Sequence, residues 1–146
     1  MRPSTRKYLA SGQFIHDDIM LRCSGVVQEF YNLWREDRKI DPGVLAWPST
    51  DVPADDGQMI NSVVRMQLPP EREKHKDLLR KLAARISPYG IFVFWQEPKR
   101  VVAILETPKG TRTWTIPIER SADILVLGKT QTKDNEDSLG LVGKHK

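Results

Sequence analysis

The chain has 146 residues, 39% hydrophobic and 29% charged, which is enough to bury one core and points to a single domain rather than a multidomain enzyme. Lys and Arg number 23 against 19 Asp and Glu, a net +4 that is too slight for a binder driven by a basic tail. The one cysteine, Cys23, excludes an intramolecular disulfide and every multi-thiolate zinc site, and fits a cytoplasmic protein.

The residues after Arg2, Arg6 and Lys7 are too polar for the apolar stretch of a signal peptide. The longest apolar runs, 91–95 and 101–105, are far shorter than the roughly 20 residues of a bilayer span, so no membrane partner is expected. Charge is segregated along the chain. Residues 41–70 carry 1 basic and 4 acidic groups, whereas 71–112 carry 10 basic and 5 acidic ones.

In chain order, residues 1–20 read as a polar arm. A first helix is expected over 24–38, with Ser24 as N-cap and Val26, Val27, Phe30, Leu33 and Trp34 at three- and four-residue steps. Asp41-Pro42-Gly43 stops it. Residues 46–58, with Pro48, Pro53, Gly57 and several Ser, Thr and Asp, have the composition of an irregular surface loop. Met59 to Leu68 reads as a strand closed by Pro69-Pro70.

The second helix opens at Pro70 or Glu71 and ends at Ser87-Pro88. On a helical wheel Leu78, Leu79, Leu82 and Ile86 form one apolar stripe, with His75 in the same arc. Lys74, Lys81 and Arg85 follow one border of that stripe; Lys76 and Arg80 lie on the other side, toward solvent. Ile91 to Trp95, Val101 to Leu105 and Arg112 to Ile118 then form a three-stranded antiparallel meander, with turns at Glu97-Pro98-Lys99 and Thr107-Pro108-Lys109-Gly110. Pro117 places the third strand at an edge, because proline cannot donate to a ladder. Residues 124–127 favour a short strand, and 129–146 read as a flexible polar tail. The expected architecture is one α+β domain over 21–128, two main helices packed on a mostly antiparallel sheet of four or five strands.

Tests for chemistry return no catalytic residue, no metal ligand and no cofactor. Gly128-Lys129-Thr130 lacks the earlier glycine of a phosphate-binding loop, since that position is Asp123. Asp134 to Asp137 begins like a calcium loop, but its sixth position is Leu139. His16-Asp17-Asp18 has no histidine cluster to join, and an aspartate capping a turn explains it. Glu97-Pro98-Lys99 resembles a nuclease element but reads as a turn, and Cys23 reads as a buried structural thiol.

There remain a basic helix and a meander whose turns carry Lys99, Arg100, Lys109 and Arg112. Over residues 71–118 the order helix, then three antiparallel strands, is similar to double-stranded-RNA-binding domains and to RNA-cleaving toxins of the HicA type. In those toxins a histidine of the early strand region cleaves RNA; strands 91–118 carry none here.

The leading expectation is therefore a non-enzymatic binding or adaptor protein whose partner is a protein or a nucleic acid. Lys74, Lys81, Arg85, Lys99, Arg100, Lys109 and Arg112 are the candidates for a nucleic-acid or acidic partner. Trp47, in the irregular loop, is the candidate anchor for a protein partner, unless it folds back onto its own core. Acidic 51–56 against basic 72–112 would also allow self-association, as in a subunit of a larger assembly.

Overall fold

Ile19, Cys23, Val27, Phe30 and Trp34 recur at intervals of four, four, three and four residues, so a helix puts all five on one side. They are the buried stripe of α1, Gly12–Asp37, and none is more than 3% exposed. The fold is a computed structural model and describes residues 12–48 and 63–135. Two corrections fall on α1. It begins at Gly12 rather than at residue 24, so residues 12–20 belong to the domain and not to an arm. Ser24 is an interior residue that donates its hydroxyl proton to the Met20 carbonyl at 2.9 Å, and Asp18 pairs one turn along with Arg22 instead of capping a turn. Arg38, at φ 54°, ends the helix in the left-handed conformation, its N–H held by the Trp34 carbonyl.

The strands are β1 (Gly43–Pro48), β2 (Val64–Gln67), β3 (Pro88–Gln96), β4 (Arg100–Thr107), β5 (Gly110–Ser121), β6 (Ile124–Leu127) and β7 (Gln131–Asn135). A short 3₁₀ turn, Arg72–Lys74, leads into α2, His75–Ile86. All pairings described are antiparallel, in the order β2-β1-β3-β4-β5-β6, with β7 also on β5. The protein is thus a single small α+β domain with, among the described residues, two helices and a curled antiparallel sheet. The meander β3-β4-β5 stands as expected, but the described sheet has seven strands instead of four or five.

The two extra strands have identifiable causes. Residues 43–48 carry a proline and lie among turn formers, yet Val44, Ala46 and Trp47 are buried between β2 and β3, and pairing on both sides overrides local composition. Gln131–Asn135 is polar throughout and exposed throughout, so no hydrophobic period marks it; it forms because β5 offers a free edge. This corrects the flexible tail, whose remainder, 136–146, lies outside the described residues, as do 49–62 of the expected loop and strand.

β5 is not an edge strand. Its first half, Thr111–Thr115, pairs with β7, and its last residues, Ile118–Ser121, pair with β6. Pro117 sits at the fork, where its carbonyl accepts the Gly128 N–H at 2.8 Å and neither neighbour needs the N–H that proline lacks. The chain crosses this fork closely: a Cβ at Gly128 would lie 2.9 Å from Pro117 Cγ. Tyr31 of α1 ties the crossing down, its hydroxyl 2.7 Å from the Gly128 carbonyl and 2.8 Å from Thr130 Oγ1.

Alternation along the strands sorts the core into two layers. Phe92, Val101, Ala103, Leu105, Trp114 and Ile116 face α1, whereas Val44, Ala46, Ile91, Val93, Trp95 and Val102 face α2. The helices therefore lie on opposite faces of one sheet. Trp47 packs on the α1 side at 1% exposure, so its indole is a core residue and is not carried forward as a partner anchor.

Among the described residues no helix is long and apolar enough to cross a membrane.

Candidate functional site

α2 packs through Leu79 and Leu82 on the sheet face that carries Val44, Ala46, Ile91 and Val93. Beside it a hollow of about 490 Å³ forms, floored by Val93, Trp95 and Ile104 and walled by Leu79 with Arg72, Glu73, Lys76 and Arg80. Lys76 and Arg80 stand one turn apart on the border of α2 that a helical wheel turns toward solvent. Which border of an amphipathic helix meets a groove depends on how the helix is seated, and no periodicity within the helix encodes that.

Arg72 is held in place by two neighbours, Trp95 and His75. The guanidinium carbon lies 3.8 Å from the centre of the Trp95 ring. His75, 1% exposed, donates from Nε2 to the Pro69 carbonyl at 2.6 Å, because a carbonyl oxygen can only accept. Its Nδ1 lone pair then faces Arg72 Nη1 at 3.4 Å. Beneath, Trp95 Nε1 donates to Glu97 Oε2 at 2.8 Å, and Glu97 Oε1 accepts from Arg100 Nε at 2.8 Å. The hydrogen bonds from Arg100 and then Trp95 hold the Glu97 carboxyl below the usual carboxylate range. A second hollow of about 590 Å³, also bordered by Arg72 and Trp95, is lined by Ile40, Pro42, Pro70 and Pro98.

The residues expected to bind are not gathered here. Lys74 is paired with Glu71 at 3.8 Å and Lys81 with Asp77 at 3.1 Å, both along the other border of α2, where Arg85 is exposed in the last turn. Lys99 and Arg100 sit at one end of β4 and Lys109 at the other, about 24 Å away along the strand, with Arg112 opposite Leu105, about 17 Å from Arg100. Arg112 is clamped by both carboxylate oxygens of Asp134, with Nη2 to Oδ2 at 2.7 Å. The meander alternates direction, so its two consecutive turns lie at opposite ends of the sheet.

Sequence reading also missed His16 as a tertiary residue. It enters a cleft of about 320 Å³ at the far end of β4, with Nδ1 3.1 Å from Thr107 Oγ1, which also accepts the Lys109 N–H at 3.2 Å. Burial, then the nearby Lys109 charge, pushes its pKa below the ordinary imidazole value. No group of three or more His, Cys, Asp or Glu that could hold a metal ion stands together among the described residues. Cys23 is fully buried in mid-helix, and burial pushes its thiol pKa up, away from a nucleophilic thiolate.

Comparison of the chain with protein-family models, with curated proteins and with solved structures gave no match.

Proposed function

We propose that this protein is a non-enzymatic binding module that receives an anionic segment of a partner in the groove beside α2. The observation that supports it is the row Arg72, Lys76 and Arg80 above an apolar floor, with none of the three in an ion pair among the described residues. Cations already paired, such as Lys74 and Lys81, must give up a partner to bind; these need not. Arg72 is moreover fixed by Trp95 and His75, so little side-chain freedom is lost when it meets an anion.

The test compares two double reversals for retention on immobilised polyglutamate and on heparin across a salt series. Lys76→Glu with Arg80→Glu is expected to weaken retention about tenfold at low salt, with a shallower salt slope. Lys74→Glu with Lys81→Glu should change it less. Equal losses in the two variants would refute the groove as the site.

A further inference from the structure

We infer that the groove's occupant is an acidic amphipathic peptide segment of a protein partner, with Asp or Glu residues interleaved with large apolar ones. This rests on the reading of the groove as an anion-receiving surface and narrows it. The rim supplies charge and the floor does not. Lys76 and Arg80 are one helical turn apart, a rise of about 6 Å. Carboxylates four residues apart on a helix match that rise, and those two residues apart on a strand, at about 6.7 Å, nearly do. Between the rim and the sheet, the partly exposed Ile104 and the edges of Leu79 and Val93 form a narrow apolar strip that a bare polyanion would leave wet. An apolar side chain covers it while neighbouring carboxylates reach the rim, which is the arrangement by which a groove takes an amphipathic segment.

A single-stranded nucleic acid fits these surroundings less well. Its bases need an open aromatic face on which to stack, and the aromatic ring on the floor, Trp95, already has the Arg72 guanidinium over it at 3.8 Å. Glu73, on the same wall as Lys76, would also oppose a continuous phosphate backbone, while a peptide can place an uncharged residue there.

The experiment is selection of a displayed random-peptide library on the full chain, with Lys76→Glu/Arg80→Glu as counter-target and circular dichroism to confirm its fold. One enriched peptide is then titrated into ¹⁵N-labelled protein, with homopolymeric single-stranded RNA as competitor. The expected result is enrichment of acidic residues interleaved with apolar ones, at least about tenfold weaker binding to the variant, and shifts at the Trp95 indole and at Lys76 and Arg80. Enrichment of acidic residues without apolar ones, or displacement by RNA at equal charge concentration, overturns this inference and leaves the anion-binding groove standing. Enriched peptides that bind wild type and variant alike overturn both.

Discussion

Cys23 has no exposed surface and lies against the α1 core, so its sulfur behaves as a small apolar group. Its thiol should not react with an aromatic disulfide reagent in the native protein and should react fully in urea; rapid native labelling would contradict the burial. Cys23→Ser places a hydroxyl in that apolar layer and is expected to cost about 1–3 kcal/mol by urea unfolding, with Cys23→Ala milder. Gly43 is constrained by space rather than by dihedral angle: an added Cβ would lie 2.7 Å from Phe94 Cζ, and that ring already packs against Phe30 and Phe92. Gly43→Ala should therefore destabilise by about 1–3 kcal/mol through overpacking. His16 carries a pH dependence of definite sign. Its folded pKa lies below its unfolded value, so the unfolded chain takes up the proton first. Stability is unaffected by this group above about pH 6.5, declines as pH falls through that value, and levels once the lowered folded pKa is passed. The groups that face it are Lys109 and Arg112, which lower its pKa, and Asp17 and Asp134, which raise it. The urea midpoint of His16→Gln should lack the part of the acid decline that His16 contributes; identical wild-type and variant profiles would remove His16 as its source.

At the scale of elements, the strongly periodic segments were legible and the pairing-dependent ones were not. α2 and the three strands of the meander carry their signals locally, as an apolar stripe ended by Ser87-Pro88 and as two-faced apolar runs separated by turns. The first dozen residues of α1 were hidden because His16, Asp17 and Asp18 sit on its exposed or partly exposed sides, which makes a polar stretch of sequence look like an arm. Within α1, residues off the buried stripe are exposed: Leu21 is 73% exposed, so Leu21→Gln should stay within about 0.5 kcal/mol of wild type. Phe30→Ala, one of the buried stripe, should cost about 3–5 kcal/mol. The fork on β5 was misread for a physical reason. Pro117 excludes one ladder hydrogen bond, and sequence alone cannot say that the missing donor falls in the gap between two different neighbours.

In the molecule as a whole, one sheet separates two apolar layers, and adjacent residues such as Ile91 and Phe92 belong to different ones. Phe30→Ala in the α1 layer and Leu82→Ala in the α2 layer touch no common side chain cluster, so the double variant's loss should equal the sum within about 0.5 kcal/mol. A larger departure would show that the sheet transmits strain between its faces. The charge polarity of the sequence was legible as a basic segment, but its placement was not: Arg72, Lys76 and Arg80 line the hollow, while Lys74 and Lys81 do not and are ion-paired elsewhere. β7 has a different consequence. All five of its residues are exposed where it pairs with β5, so its amide protons should exchange before those of β3 and β4. Each time it lifts away, Thr111–Thr115 becomes a bare strand edge of the kind on which a second copy of the chain can lay its own residues 131–135, and concentrated solutions should accumulate strand-exchanged dimers that dilute back to monomer.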